Sequence, residues 1–134
     1  MILPEQWYLK AWKWQKLIHS VWWDKTGGPM KSFKRYQYRR FPTEDGLPAN
    51  GDYIFPDVTI RFKDGYLSDS VDDEEHILPA IETHDGTHVE HWKNGVLHCE
   101  KSPAILDTRD NYEEWYLEGK PTMAGGNNGK LADL

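Results

Sequence analysis

The sequence is poor in cysteine, in long apolar runs and in aliphatic side chains. Its one cysteine, Cys99, excludes an internal disulfide, so a disulfide-stapled secreted scaffold is not expected. No run of about 18 apolar residues occurs, which predicts that the chain does not span a membrane. Lys10, Lys13 and Lys16 interrupt the apolar runs near the N-terminus, so we expect no signal peptide and a cytoplasmic location.

Aromatic side chains compensate for an apolar content of only 38%. Seven Trp, seven Tyr and four Phe are present, and each can remove roughly 150–250 Å² from water. The length of 134 residues fits one domain. We therefore predict a single domain over 1–134 with a core built more from aromatics than from aliphatics. The residues expected to be largely buried are Phe62, Ile81, Trp92, Ile105, Trp115 and Tyr116.

Charge is distributed unevenly along the chain. Residues 1–43 carry nine Lys and Arg against two acids, a net of +7, and residues 44–134 carry seven against twenty, a net of −13. One interpretation is that a basic N-terminal element docks on an acidic body. The other is that the two regions serve different partners, the acidic one resembling a phosphate backbone.

The N-terminal pattern predicts an amphipathic helix over residues 4–26. Trp7, Trp14, Ile18 and Trp22 recur at helical spacing on one side, and a Gly-Gly-Pro sequence stops the pattern at residues 27–29. Trp12, Trp14 and Ile18 also fit alternation, which permits a strand. As a helix, it could cap the rest of the fold or lie on an anionic membrane surface.

Short alternating segments follow over residues 28–123. His88, Glu90 and Trp92 are predicted to share one strand face, and Asp85-Gly86 and Asn94-Gly95 are dipeptides that type I′ hairpin turns prefer. Residues 124–134 are rich in glycine and asparagine and predict a flexible tail.

Internal similarity is the strongest feature of the sequence. Pro79-Ala80-Ile81 recurs as Pro103-Ala104-Ile105, Gly95 recurs as Gly119 at the same spacing, and an earlier copy begins at Leu47. Periods of roughly 20–50 residues indicate stacked supersecondary units, because one hairpin cannot bury its own apolar face. The expected fold is mainly β (α+β): stacked antiparallel β-hairpin repeats in an open twisted sheet, with one N-terminal helix.

Residues 91–98 read His-Trp-Lys-Asn-Gly-Val-Leu-His, and Pro103-Ala104 follows them. This segment resembles the MORN-like Trp-Tyr-x-Asn-Gly-x-Leu-His-Arg-x-x-Gly-Pro-Ala repeats of bacterial and bacteriophage proteins. Residues 44–49 and 115–120 match further parts, so the similarity covers roughly residues 36–122. The chain departs from the pattern at Arg40, Cys99 and Ser102. The resemblance implies an open array of hairpins and a role in binding proteins or surfaces.

The pattern of histidines and of Cys99 favours structural roles over catalysis or metal binding. Five of the six histidines are close together in sequence, but strand alternation and a rise of about 3.3 Å per residue separate His84 from His88 and His91. Adjacent strand residues such as His98 and Cys99 point to opposite faces. We therefore predict no enzyme activity, no metal site and no cofactor; a histidine-dependent metal enzyme is the third alternative.

Two candidate binding surfaces remain. One is acidic, and its carboxylates sit in a run and in a second pair: Asp69, Asp72, Asp73, Glu74, Glu75, Glu113 and Glu114. The other is basic and aromatic: Lys34, Arg35, Tyr36, Tyr38, Arg39 and Arg40. The second alternates charge and aromatics as a charge-guarded edge strand would, or could hold single-stranded nucleic acid. The overall acidity argues against nucleic-acid binding.

The leading functional prediction is a non-catalytic protein-binding module, encoded by a phage or mobile element and acting on a host or phage protein. The alternative is an acidic inhibitor of a host nucleic-acid enzyme, such as a defence nuclease, that mimics nucleic acid. The sequence leaves open the partner, the oligomeric state and which of the two surfaces is functional.

Overall fold

A computed structural model of the protein describes residues 33–43, 46–55, 58–122 and 129–130. Its helical part is a 3₁₀ helix, Lys34–Tyr36, and the predicted helix over 4–26 lies outside the described residues. The strands are β1 Gly51–Ile54, β2 Val58–Lys63, β3 Tyr66–Leu67, β4 Ser70–Val71, β5 Ile77–Leu78, β6 Ile81–Thr83, β7 His88–Glu90, β8 Trp92–Lys93, β9 Val96–Leu97, β10 Ile105–Asp107, β11 Tyr112–Glu114, β12 Tyr116–Leu117, β13 Lys120–Pro121 and β14 Gly129–Lys130.

Eight of these strands form one antiparallel sheet. From edge to edge the order is β1, β2, β6, β7, β10, β11 and β14, and β3 pairs with the end of β2. Ile60 lies opposite Ile81, Ile81 opposite Glu90, and Glu90 opposite Ile105, so one row of side chains crosses the sheet. The predicted mainly β fold of antiparallel hairpins in an open sheet is confirmed.

Three tight turns share one backbone conformation. Both central residues have positive φ at Asp64-Gly65, Asn94-Gly95 and Glu118-Gly119, as a type I′ turn requires. The type I′ prediction is right for Asn94-Gly95 and wrong for Asp85-Gly86. There only Gly86 has positive φ. This turn differs because the Gly86 N–H donates to the Thr83 carbonyl and the Asp85 carboxylate accepts a hydrogen bond from the Thr87 N–H.

The units along the chain repeat the same backbone hydrogen bonds. The Gly95 N–H donates to the Leu67 carbonyl at 2.8 Å, and the Gly119 N–H donates to the Leu97 carbonyl at 2.9 Å. Stacking of the turns is equally regular. A Cβ at Gly95 would lie 2.8 Å from the Tyr66 ring, and one at Gly119 would lie 3.2 Å from the Cβ of Val96. Each turn therefore packs under the residue that follows the previous turn.

One face of the sheet forms the core. The predicted core residues Phe62, Ile81, Trp92, Ile105 and Tyr116 are buried. Trp115, which was also expected there, is half-buried and lies on the other face, because it stands between the inward-facing residues 114 and 116 of an alternating segment.

The segment of residues 33–41, called the strap below, crosses the stacked turns. The Tyr38 N–H donates to the Gly95 carbonyl and the Phe41 N–H to the Gly65 carbonyl, both at 2.6 Å. The Gln37 amide donates to the Gly119 carbonyl at 3.4 Å. An edge strand, one of the two interpretations of this segment, is wrong, because the chain forms a 3₁₀ helix and then takes a positive φ of 66° at Tyr38.

Two residues of the predicted tail form a strand. Gly129 and Lys130 pair with Glu113 and Tyr112 of β11, and the rest of residues 123–134 lies outside the described residues. Within the described part of the chain, no helix has the length and apolar character needed to cross a membrane.

Candidate functional site

A charged cluster lies inside the core where β7 pairs with β10, in the middle of the sheet. His88 Nδ1 is 2.9 Å from an Asp107 carboxylate oxygen, and His88 Nε2 is 2.7 Å from a Glu90 carboxylate oxygen. The three side chains are at most 1% exposed. Glu90 also accepts hydrogen bonds from the indole N–H of Trp92 at 3.0 Å and from the Phe33 N–H at 3.2 Å.

The neighbouring unit holds a second buried carboxylate, Glu114, in the place equivalent to Glu90. Glu114 accepts a hydrogen bond from the Tyr116 hydroxyl at 2.9 Å and another from the Tyr112 hydroxyl. Burial and the Glu114 charge raise the pKa values of both tyrosines well above the ordinary value of 10. The Lys34 ammonium reaches the same carboxylate at 3.3 Å. In both units, donors two residues before and after the glutamate hold it.

The carboxylates of the cluster favour the protonated form of the His88 ring. Burial lowers the pKa of His88, but the hydrogen bonds and charges of Glu90 and Asp107 raise it by more, so the net shift is upward. Burial raises the pKa of Asp107, and the His88 and Asp110 hydrogen bonds lower it by more. Because both ring nitrogens face carboxylates and the ring is fully buried, His88 has no nitrogen turned toward a cavity where a substrate could exchange protons.

The alternation pattern placed Glu90 on the Trp92 face but did not reveal the cluster, and Glu114 was predicted as part of the acidic binding surface. Glu114 is 6% exposed. The internal period contained a signal for this. Glu90 and Glu114 are separated by the same interval as Gly95 and Gly119, and each precedes by two positions an aromatic residue, Trp92 or Tyr116, that can donate a hydrogen bond. Alternation then requires each glutamate to face the core with that aromatic residue.

The acidic run forms a hairpin that we call the acidic hairpin, residues 70–78. Strands β4 and β5 pair Ser70 with Leu78 and Val71 with Ile77. Directly opposed residues lie on the same face of a two-stranded ribbon. Val71 is 61% exposed and Ile77 is 58% exposed, so the hairpin presents an apolar pair to solvent. The connecting residues 72–76 carry four carboxylates.

Asp69 attaches the acidic hairpin to the core. One carboxylate oxygen accepts hydrogen bonds from the Ala80 N–H at 2.7 Å and the Trp92 N–H at 3.0 Å, and the other lies 2.8 Å from His91 Nδ1. Asp69 was predicted as a binding residue of the acidic surface. The structure commits its carboxylate to these three partners instead.

Asp72 organises the tip of the acidic hairpin. Its carboxylate accepts the N–H groups of Glu74 and His76, both at 2.9 Å, and lies 3.2 Å from the His76 ring. The His76 N–H bond is the main cause of a lowered pKa at Asp72. Asp73, Glu74 and Glu75 are exposed beside it. The base and the tip are therefore both fixed before any partner binds.

The other predicted acidic residues lie elsewhere. Glu113 and Glu114 are on β11 and not on the acidic hairpin, and they face opposite sides of their strand. Glu113 accepts a hydrogen bond from the Trp115 indole at 3.2 Å. The structure thus brings together Asp72, Asp73, Glu74 and Glu75 and separates them from the β11 pair.

The predicted basic aromatic surface is divided among several contacts. Lys34 binds Glu114, Arg40 binds Asp64 at 3.1 Å, and the Arg39 guanidinium lies 5.6 Å from the centre of the Tyr36 ring. Tyr38, 70% exposed, turns outward. Arg35 belongs to the 3₁₀ helix. Among the side chains that the structure describes, Lys34, Tyr36, Tyr38, Arg39 and Arg40 do not form a continuous row of stacking rings and cations.

The five histidines that the structure describes are held by different partners. His84 Nε2 lies 2.9 Å from the Thr59 hydroxyl, and His98 Nδ1 accepts the Glu118 N–H at 2.9 Å. His76, His88 and His91 face the carboxylates of Asp72, Glu90 with Asp107, and Asp69, as described above. In the described part of the chain, no three His, Cys, Asp or Glu residues form a group that could hold a metal ion.

No family model, no curated protein and no solved structure matches the chain.

Proposed function

We propose that this protein is a non-catalytic binding module that docks on another protein through the acidic hairpin. The observation that carries the proposal is the Val71 and Ile77 pair, more than half exposed and placed beside the exposed carboxylates Asp73, Glu74 and Glu75. Anchoring by Asp69 and Asp72 adds to this, because a surface that is ordered in advance loses less entropy on binding.

The surface fits a partner with an apolar depression bordered by Lys or Arg. Apolar contact supplies affinity at the centre of an interface, and complementary charge at its rim speeds association and selects the partner. The resemblance to MORN-like repeats of bacterial and phage proteins supports a host or phage protein as that partner, met in the cytoplasm.

The second candidate is an inhibitor of a nucleic-acid enzyme, in which the same carboxylates take the place of phosphates. The exposed run Asp73, Glu74 and Glu75 favours it. The two candidates differ in salt dependence. Binding by charge alone falls steeply between low and high salt, whereas binding centred on the apolar pair persists.

The test is affinity capture from host lysate by tagged protein, with variants that separate the two contributions. We expect a partner bound by wild type to be lost with Val71→Ser/Ile77→Ser at any salt concentration. Leu47→Ser is the matched control, because Leu47 is 62% exposed and lies outside the hairpin. If wild type captures the partner only at low salt, and capture is lost only with Asp73→Asn/Glu74→Gln/Glu75→Gln, the result would support the inhibitor of a nucleic-acid enzyme. A partner that all three variants retain would disprove a role for the hairpin.

A further inference from the structure

The buried His88 ring has no role in docking through the acidic hairpin, yet a buried carboxylate contacts each of its two nitrogens. An ionised carboxylate can only accept hydrogen bonds. Since Asp107 and Glu90 lie 2.9 and 2.7 Å from the two ring nitrogens, both nitrogens must carry hydrogen for both contacts to be favourable. The ring is therefore a cation between two anions in a fully buried place.

The strap is attached to this cluster. The Phe33 N–H donates to both Glu90 oxygens, at 3.2 and 3.4 Å, and the Phe33 ring is 2% exposed. One residue on, the Lys34 ammonium contacts Glu114 at 3.3 Å. The start of the strap is thus held by two buried carboxylates, one of which shares the His88 proton.

Six charged or titratable groups contact His88 or lie beside the groups that do. Glu90 on β7 and Asp107 on β10 contact the ring. Arg109 lies beside Asp107, the Glu90 charge helps to raise the pKa of Tyr112 on β11, and both Tyr112 and Lys34 contact Glu114. Three of these six groups are carboxylates. Removal of the ring proton would leave a nitrogen lone pair against a carboxylate and would add to the negative charge of the cluster.

We propose that His88 is a proton-dependent latch: its protonated ring holds the Phe33 end of the strap on Glu90, and loss of the proton releases that end while the sheet stays folded. The strap is the element that yields, because β7 is paired on both sides by β6 and β10. Asp107 is also fixed, since it accepts the N–H groups of Arg109 and Asp110.

The direction of the pH dependence follows from the raised pKa of His88. A group with a raised pKa contributes fully below its ordinary value, here 6.5, and the contribution is lost as pH rises through the folded-state pKa. The latch is therefore closed in mildly acidic solution and opens as pH rises through the folded-state pKa of His88, which lies above 6.5.

The test follows carbon-bound protons by ¹H–¹³C NMR between pH 5 and 10, so that amide exchange does not interfere. We expect the Phe33 ring signals to leave their buried positions at the midpoint of the His88 ring titration, while the Ile60 and Ile81 methyl signals stay in place. Different midpoints for Phe33 and His88 would overturn the latch. Movement of the isoleucine methyls together with Phe33 would also overturn it, because it would mean general unfolding.

Asp107→Asn tests the mechanism. The amide oxygen of Asn can still accept the loop N–H groups, but one opposite charge beside His88 is gone, so both midpoints should fall by about 1–3 pH units. Asp85→Asn is the matched control and should leave both midpoints unchanged, because Asp85 bonds Thr87 in an exposed loop. A Phe33 midpoint that does not follow His88 in Asp107→Asn would show that the contact is only structural.

Discussion

Successive units of the fold use one backbone frame for opposite kinds of core. At β2, the inward-facing residues Val58, Ile60 and Phe62 are apolar. In a later unit of the chain, at β7 and β8, the corresponding positions are His88, Glu90 and Trp92, and in the unit after that they are Tyr112, Glu114 and Tyr116. The turn that follows each set is the same.

The difference shows how a carboxylate is accommodated inside a sheet. Positions two residues apart lie on the same face of a strand, so the residues before and after an inward glutamate are its natural donors. Trp92 and Tyr116 supply an N–H and an O–H where Phe62 has neither. Charge is stable in this core only where flanking residues satisfy it, since an unpartnered buried carboxylate is costly.

The largest expected effect comes from removal of the His88 cation from the polar region of the core. His88→Leu leaves Glu90 and Asp107 buried without it and should cost about 3–5 kcal/mol in the free energy of unfolding. Urea denaturation at pH 6 measures the loss. His88→Val/Glu90→Ile, which copies Val58 and Ile60, removes one of the two uncompensated carboxylates and should regain part of the loss, while Asp107 stays buried. A double variant no more stable than His88→Leu would mean that the two regions are not interchangeable.

A smaller effect is expected from removal of a donor with little change of shape. Trp92→Phe loses the indole N–H bond to Glu90 and should destabilise by about 1–3 kcal/mol, because the carboxylate stays buried. Tyr116→Phe should behave in the same way through Glu114. Chemical denaturation of both variants is the measurement, and an unchanged midpoint in either would show that its hydroxyl or N–H contributes nothing to holding the carboxylate.

A still smaller difference in stability is expected between alanine variants of a stacked turn, at Gly95, and of the loop at Gly86. Gly95 and Gly86 both have positive φ, so alanine is strained at either, at about 1–3 kcal/mol. Only at Gly95 would the new Cβ also meet a ring, that of Tyr66 at 2.8 Å, whereas Gly86 has open space. Thermal melting should place Gly95→Ala below Gly86→Ala. The reverse order would contradict tight packing between successive turns.

The least effect is expected at the pair of Lys93 with Glu118, which links two neighbouring turns. Its atoms are 2.9 Å apart, but both side chains are more than half exposed. Exposed pairs of this kind contribute little and are screened by salt. Lys93→Ala should therefore melt within experimental error of wild type at moderate salt. A clear loss would show that the turns depend on surface charge as well as on packing.

Local rules made much of the fold predictable. Alternation correctly placed His88, Glu90 and Trp92 on one face, and the Asn94-Gly95 dipeptide identified a type I′ turn. The same rules failed for the strap. Its 3₁₀ helix and the positive φ at Tyr38 depend on hydrogen bonds to distant turns, such as that to the Gly95 carbonyl. No pattern within residues 33–41 encodes those partners.

The candidate site was predictable only in part. The acidic run could be read directly, and Asp72, Asp73, Glu74 and Glu75 do lie together on the acidic hairpin. The tertiary contacts that separate Asp69 and Glu114 from these four residues could not be predicted from the sequence. Both carboxylates bond groups distant in sequence, Asp69 the Trp92 N–H and Glu114 the Lys34 ammonium.

The close packing of successive turns limits how this architecture can change in length. Because Tyr66 covers Gly95 and Val96 stands over Gly119, a residue added within a turn would displace every later cover from its glycine. The chain can tolerate extra length only as a complete hairpin, or outside the turns, where the acidic hairpin already lengthens one unit. Growth by whole modules would keep the turns aligned while giving each added module a projecting loop free to acquire its own specificity.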